Sequence, residues 1–284
     1  MKRTYILLSV VLAAAIGLFG AYLVMTRNFK DTTPPVISVE EQMLEISVKD
    51  DRDILLSGIT AVDDRDGDVT ASLLVESIYG ISEDHVTTVT YAAFDRAGNV
   101  SKLQRQVRYT DYREPRFELS ETLCFAHNSG FDLLEYVGAE DVIEGDIRRR
   151  VRATLVSDTR SIDEIGSHTV RMRVTNSLGD TVEVDFPVEV YDPEWYTADV
   201  KLDEYLVYLD QGDQFDPEEY LKAFAVRGEE TNISHRIPDN ILCSINSNVN
   251  TKVPGVYRVK YTLTQTIGMT SFSGQAVLVV IVQE

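Results

Sequence analysis

Four aspartates lie close together in one short segment and could bind a metal ion. They are Asp63, Asp64, Asp66 and Asp68, with Gly67 providing the turn. Carboxylate oxygens are the ligands that Ca²⁺ prefers, and one such turn offers several of them together. The spacing is not that of an EF-hand, because no Glu stands at the twelfth position. The segment is interpreted as a solvated turn whose aspartates cap backbone amides, and it is also a candidate calcium site.

A weaker copy of this cluster stands in the middle of the chain, at Asp141, Glu144 and Asp146. It could hold calcium in the same way, or it could cap its own turn. Beyond calcium, the sequence predicts no cofactor.

Two Asp/Asn pairs flank glycines further along the chain. Asp95 and Asn99 surround Gly98, and Asn176 and Asp180 surround a second glycine, Gly179. Glycine accepts a positive φ at no steric cost, and short polar side chains bond to nearby backbone. We therefore interpret both pairs as structural parts of turns.

Trp195 and its neighbour Tyr196 are the candidate binding residues of the second half of the chain. Exposed aromatic side chains stack on sugars or anchor protein partners. The alternative is that Trp195 packs in a joint between two domains.

No catalytic motif is present in the sequence. The four histidines lack zinc-binding spacing, and neither a G-x-S-x-G elbow nor a phosphate-binding glycine loop occurs. Carboxylates are abundant, yet nothing singles out a glycosidase pair. We expect no enzyme, and we expect Cys124 and Cys243 to be isolated, buried thiols.

Three segments with one shared pattern predict the β-hairpins that position these candidate residues. They are the segments 86–100, 167–181 and 256–270, which begin 81 and 89 residues apart. In each, alternating apolar residues lead into a polar turn with one glycine and then into a second alternating run. This pattern is typical of a β-hairpin with one buried face.

The hairpins predict three β-sandwich domains of 80–90 residues, at 31–111, 112–192 and 193–284. Helical signal is thin in this body. Only 216–225 is expected to form a short helix, with Asp216 as the N-cap and Pro217 at the first helical position.

Residues 1–30 have a different composition from the body. The stretch 5–25 carries no charge and is long enough to span about 30 Å of hydrocarbon as a helix. We expect an uncleaved transmembrane signal-anchor behind a short cytoplasmic tip, with a cleaved signal peptide as the alternative. The corresponding localisation is the cell membrane, single-pass, with an extracellular body.

The body is strongly acidic. It carries 23 basic and 46 acidic residues, a formal charge of −23. Such a field repels nucleic acid and anionic membrane surfaces and tolerates cations. Nucleic acid is therefore excluded as a partner.

The chain resembles the bacterial immunoglobulin-like repeats named after a pesticidal crystal toxin. The residues that carry the resemblance are Pro34-Pro35, the acidic turn Asp64–Thr70 and the segment Tyr91–Asn99. The match fades in the second unit, and the third has no DGD turn. The resemblance implies an all-β chain of three tandem immunoglobulin-like sandwiches with an extracellular role, and it implies no activity.

These observations favour a bacterial surface protein that acts as a spacer, adhesion or binding module for a protein or polysaccharide partner. The alternatives are a carbohydrate-binding accessory of a cell-envelope or exopolysaccharide system and a secreted soluble binder.

Overall fold

A computed structural model of the chain describes residues 2–29, 31–156 and 161–284, with side chains of the N-terminal helix described at 8–23. That helix, α1, covers Lys2–Phe29. The remaining described residues form β-strands and short 3₁₀ helices in three repeated sandwich-like units. The predicted all-β class is confirmed.

The first sandwich contains seven strands. They are β1 Val36–Val39, β2 Met43–Ile46, β3 Ile59–Asp63, β4 Gly67–Asp68, β5 Leu74–Tyr79, β6 Val86–Phe94 and β7 Val100–Tyr109.

The second sandwich repeats this arrangement with seven further strands. They are β8 Arg116–Leu119, β9 Cys124–Ala126, β10 Val137–Asp141, β11 Gly145–Asp146, β12 Arg152–Leu155, β13 Gly166–Thr175 and β14 Thr181–Tyr191.

The third sandwich follows with seven more. They are β15 Ala198–Leu202, β16 Leu206–Asp210, β17 Leu221–Val226, β18 Glu229–Asn232, β19 Ile241–Ser247, β20 Gly255–Ile267 and β21 Thr270–Gln283. The 3₁₀ helices among the described residues are Arg52–Leu56, Thr70–Ser72, Leu133–Glu135, Arg148–Arg150 and Pro217–Tyr220.

Each sandwich consists of a three-stranded and a four-stranded sheet. In the first, the sheet orders are β1-β3-β4 and β2-β7-β6-β5. The second has β11-β10-β8 and β12-β13-β14-β9, and the third has β15-β17-β18 and β16-β21-β20-β19. In all three the second strand pairs parallel with the last one, so the chain crosses between sheets early in every unit.

The three predicted hairpins are confirmed as β6-β7, β13-β14 and β20-β21, all antiparallel. Gly98, Gly179 and Gly268 have φ of 87°, 86° and 64°. These values lie in the left-handed region, where a Cβ is disfavoured.

The predicted short helix at 216–225 is only partly correct. The side chain of Asp216 accepts a hydrogen bond from the amide of Glu218 (3.0 Å), which confirms the N-cap. The helix is a single 3₁₀ turn, Pro217–Tyr220, and strand β17 follows at once. Burial in the sheet outweighs helix propensity there, since every residue of β17 except Lys222 is buried.

A buried tyrosine connects the long hairpin to the 3₁₀ turn in the first and third sandwiches. The hydroxyl of Tyr91 donates to the carbonyl of Leu55 (2.8 Å), and that of Tyr261 donates to the carbonyl of Pro217 (2.7 Å). Met172 takes the same place, seven residues before the turn glycine, in the second sandwich, where it is fully buried.

The chain divides into two compact units, 1–111 and 112–284. The first sandwich has its own core in unit 1, formed by Ile46, Leu55, Ile59, Ala61, Val89, Tyr91, Ala93, Val107 and Tyr109. The second and third sandwiches share unit 2. The predicted boundaries at 111/112 and 192/193 stay predictions.

Strand β21 joins the two sandwiches of unit 2, because both of its faces are covered. Leu278, Val280 and Val282 belong to the core of the third sandwich. Val279 and Ile281, on the opposite face, belong to the core of the second. Side chains alternate along a strand, so one continuous apolar run serves two cores.

Polar contacts reinforce this joint. The hydroxyl of Tyr208 accepts a hydrogen bond from the amide of Phe117 (2.8 Å), and Thr122 Oγ1 accepts one from the amide of Val277 (2.7 Å).

An ion-pair cluster lies beside the joint. The buried carboxylate of Glu189 accepts from Arg258 Nη1, from Lys260 Nζ (3.2 Å) and from Ser167 Oγ (2.6 Å). A buried carboxylate needs such partners, because desolvation of an unpaired charge is costly.

The predicted single-pass membrane localisation, with 5–25 as the span, is corrected by the structure. Among the residues that the structure describes, no helix is both long enough and apolar enough to cross a membrane, which takes about 20 consecutive apolar residues. The ends of the predicted span, 5–7 and 24–25, lie outside the residues whose side chains are described.

Both cysteines are free thiols in the described chain. Cys124 is buried, as expected, whereas Cys243 is only half-buried. Burial raises the pKa of Cys124 to about 12, although nearby Lys260 acts in the opposite direction.

We expect Ile281→Ala to lower the free energy of unfolding of unit 2 by about 2–5 kcal/mol, because it opens a cavity at the joint. Ile267, about half exposed near the tip of the same hairpin, provides the matched control. Ile267→Ala should change stability by no more than about 0.5 kcal/mol. Urea denaturation of the full chain measures both, and equal midpoints for the two variants would contradict the shared packing.

We expect Cys124 to react with iodoacetamide at pH 8 roughly a thousandfold more slowly than an unperturbed thiol, since only the thiolate reacts. A Cys243→Ser background isolates the signal of Cys124. Alkylation should reach the ordinary rate in guanidinium chloride. Fast alkylation of the folded protein would contradict the burial of this thiol.

Candidate functional site

The turn between β3 and β4 is built around the side chain of Asp63. Its Oδ1 accepts hydrogen bonds from the amides of Arg65 (2.9 Å) and Asp66 (2.8 Å). Asp68 Oδ1 accepts one from the amide of Thr70 (2.9 Å). Short acidic side chains favour such turns because they satisfy backbone donors that the strand leaves free.

The four predicted calcium ligands do not converge on one point. Asp64 and Asp68 are exposed, and hydrogen bonds from Thr70 lower the pKa of Asp68. Asp66 Oδ2 accepts the amide of Arg96 (2.8 Å), which ties this turn to the β6-β7 turn. Of the four, only Asp63 is buried, with 3% of its surface exposed.

Two carboxylates from distant segments lie beside Asp63. Asp31 precedes β1, and Asp95 follows β6 directly. One oxygen of each of the three groups lies within 4.8 Å of the others. β1 pairs antiparallel with β3, with Val36 opposite Val62, which brings the segment before β1 to the end of β3.

The hydrogen bonds of Asp95 hold it in the β6-β7 turn. Its two oxygens accept from the amide of Asn99 (2.7 Å) and from Asn99 Nδ2 (2.6 Å). Burial raises its pKa, but the bonds from Asn99 and from the Gly98 and Ala97 amides outweigh burial and hold the pKa below its ordinary value. Asp95 is therefore an anion at neutral pH.

Asp63 Oδ2 is the exception in this network. It is buried, and the described residues supply it with no hydrogen-bond partner. A buried carboxylate oxygen left without a donor carries a desolvation penalty that nothing here offsets.

The second sandwich repeats the same frame with one change. Asp141 stands where Asp63 does, at the end of its strand and opposite a turn glycine. Its Oδ1 accepts from the amides of Ile143 and Glu144, both at 2.9 Å. Its Oδ2, however, accepts from Asn176 Nδ2 (2.9 Å). Asn176 follows β13 directly, as Asp95 follows β6.

Asn176 is itself held in a buried network. Its Nδ2 also donates to the hydroxyl of Tyr112 (2.8 Å), which donates to Asp180 Oδ2 (2.6 Å). Burial first, and then the bond to Asp180, raise the pKa of Tyr112, so that its hydroxyl stays protonated. The weaker acidic copy is thus internally satisfied.

Glu144, the middle member of that copy, also has a structural role. It accepts from Arg150 and from the amide of Ser177, which joins its turn to the β13-β14 turn. Burial opposes ionisation, but these bonds hold the pKa of Glu144 below its ordinary value.

A cleft of about 530 Å³ lies within unit 2, between β8 and the segment that leads into β16. Strands β8 and β16 each lie at the edge of their sheet. Charged side chains of both signs and three tyrosines line it, including Arg113, Glu118, Tyr136, Glu140, Arg148 and Tyr205. Burial, then the nearby Glu121, raise the pKa of Tyr205 to about 12.

The two predicted binding aromatics differ in exposure. Trp195 is 72% exposed, so the alternative that it packs in a joint is wrong. Tyr196 is half-buried and packs edge-to-face on Tyr191, with ring centroids 5.4 Å apart.

Comparison with known proteins gives only distant matches. No family model and no curated protein matches the sequence, so the resemblance to the crystal-toxin repeats stays a prediction. One matching structure is of protocadherin gamma B2 extracellular cadherin domains 1-5, with 12% identity, 89% of this chain and 60% of that chain covered, and a TM-score of 0.21.

Two further structures match at the same level. One holds CBM51-2 in complex with GlcNAc and INT domains from Clostridium perfringens ZmpB (14% identity, 88% and 42% covered, TM-score 0.23). The other is Drosophila N-cadherin EC1-4 (15%, 79% and 63%, 0.22). This chain spans less than two thirds of each of these three, and at such TM-scores no functional statement follows.

We expect Asp141→Asn to destabilise unit 2 by about 1–3 kcal/mol, because an amide would face the Asn176 amide and leave buried donors unpaired. Glu140→Gln, an exposed change on the same strand, is the matched control and should be nearly neutral. Chemical denaturation of the full chain measures both. An Asp141→Asn variant as stable as the control would refute the assigned hydrogen bond.

Proposed function

We propose that this chain is a non-catalytic binding module of tandem β-sandwiches, and that a polysaccharide segment binds in the cleft of unit 2. The observation that carries the proposal is a polar, preformed cleft between two sandwiches whose cores both contain side chains of strand β21. About 530 Å³ is within the usual size of a ligand site.

The lining of the cleft favours a saccharide over a protein. Protein hot spots are Trp, Tyr and Arg anchors in closely packed, fully desolvated pockets, whereas several charged side chains of this cleft are exposed to solvent. Here carboxylates and guanidinium groups alternate with tyrosines, and such groups exchange hydrogen bonds with sugar hydroxyls while the rings cover their apolar faces.

Rigidity supports the same proposal. The walls of the cleft come from β8 and from the segment before β16, and Tyr208 bonds both backbone groups of Phe117 across them. A site that is held open before the ligand arrives loses less conformational entropy on binding.

Trp195 is the second candidate surface for the same ligand class. Its exposed indole could stack on a sugar ring outside the cleft. Variants at the two places separate these alternatives.

We expect the full chain to bind a subset of polysaccharides on a glycan array. Arg113→Ala and Glu140→Ala, both exposed cleft residues, should weaken binding of the best ligand at least tenfold in calorimetric titration.

The control is Leu242→Ala, which removes an exposed apolar side chain elsewhere and should leave affinity unchanged. An array without any bound glycan would sink the proposal, and so would cleft variants that bind like the wild type. A loss confined to Trp195→Ala would move the site to that residue.

A further inference from the structure

We propose that Asp31, Asp63 and Asp95 of the first sandwich bind one calcium ion. Their nearest carboxylate oxygens lie within 4.8 Å of one another. Oxygens that share a Ca²⁺ at about 2.3–2.6 Å are at most about 5 Å apart. The three groups therefore already stand at ligand spacing.

The unpartnered Oδ2 of Asp63 indicates that a cation binds at this point. Asp63 is 97% buried in the fold, its Oδ1 is saturated by two amides, and its Oδ2 has no donor within the described chain. The carboxylates of Asp31 and Asp95 each bring an oxygen within 4.8 Å of a carboxylate oxygen of Asp63. A cation satisfies such an oxygen, whereas another acceptor cannot.

The local charge requires a cation of more than one charge. Three carboxylates meet at this point, and among the described residues Arg65 pairs with one of them, its Nε lying 3.9 Å from Asp31 Oδ2. Arg65 is half exposed, so its charge is screened by solvent. One divalent ion together with Arg65 would neutralise the cluster.

The second sandwich shows how the same frame is completed without a metal ion. There the residue after the long strand is Asn176, and its amide donates to Asp141 Oδ2. Asp111 precedes β8 by five residues, as Asp31 precedes β1, but it accepts from Ser47 and from the amide of Val48 instead. In the first sandwich Asp95 stands at the position of Asn176, so a carboxylate replaces the side-chain amide.

The donor set selects calcium among common cations. All three side chains offer oxygen alone, which suits hard cations and not zinc. Ca²⁺ accepts irregular geometry and fills its remaining positions with water or carbonyl oxygens, whereas Mg²⁺ demands a near-ideal octahedron.

The ion would join three separate segments at one end of the first sandwich. Asp31 lies before β1, Asp63 is the last residue of β3, and Asp95 opens the β6-β7 turn. Binding to the folded state alone stabilises it in proportion to the logarithm of ligand concentration. Calcium therefore should set the melting temperature of the first sandwich.

The test is titration of the EDTA-treated full chain with CaCl₂, read by calorimetry and by thermal melting. We expect one ion per chain and a rise of about 5 °C or more in the transition of the first sandwich at saturating calcium. Equal concentrations of MgCl₂ should give a clearly smaller rise.

Asp63→Asn is the decisive variant. Its Oδ1 can still accept from the amides of Arg65 and Asp66, and its new amide removes one negative charge from the cluster. We expect at least tenfold weaker calcium binding, with a melting temperature in EDTA at or above that of the wild type. Asp64→Asn, an exposed neighbour, should bind calcium as the wild type does.

Asp31→Asn, in a segment outside the strands, keeps its bond to the Thr33 amide and should also weaken binding. The proposal is overturned if the wild type gives no heat, if Asp63→Asn and Asp31→Asn bind calcium normally, or if Asp64→Asn loses as much. Equal responses to magnesium and calcium would indicate general screening of the acidic chain and would also overturn it.

Discussion

A buried carboxylate at the end of the third strand organises the same loop in the first two sandwiches. One oxygen of Asp63 or Asp141 accepts two backbone amides and thereby fixes a turn that ends in a glycine. The other oxygen points into the fold, where it must find a donor or a cation, because a buried anion without either is costly. Asn176 meets this requirement in the second sandwich. In the first sandwich Asp95 occupies the equivalent position and has no amide to donate. We therefore propose that a metal ion satisfies Asp63 Oδ2.

The second constraint is the burial of strand β21, which couples the cores of the second and third sandwiches. Strand β21 is apolar on both faces, and the second sandwich covers the face that the third leaves open. Two small sandwiches thereby bury more apolar surface together than either could alone, which matters because small domains bury a modest fraction of their surface. The same contact sets the walls of the polar cleft. Stability and the proposed binding site in unit 2 therefore depend on one interface.

The hairpins could be predicted from the sequence because period-two alternation and a turn glycine are local signals. The N-cap at Asp216 could be predicted from the same kind of local signal. The helix expected after it is limited to one 3₁₀ turn, because the following residues are buried in strand β17. The unbroken apolar run 276–282 carried the sign of a strand covered on both faces, but which body covers it depends on tertiary packing. The convergence of Asp31, Asp63 and Asp95 is non-local in the same way. These residues are 32 positions apart along the chain, and only strand pairing brings them together. The run of neighbouring aspartates at 63–68 shares only Asp63 with the proposed calcium site, because the other two residues come from distant segments.

An amide and a carboxylate occupy equivalent places in the two sandwiches, at Asn176 and Asp95, and this contrast assigns the metal ion to the first. Crystals of the full chain grown in calcium chloride, with data collected at a wavelength where calcium scatters anomalously, would test it directly. We predict one anomalous peak surrounded by Asp31, Asp63 and Asp95 and none beside Asp141. A peak on the exposed Asp64 and Asp68, or no peak in the first sandwich, would contradict it.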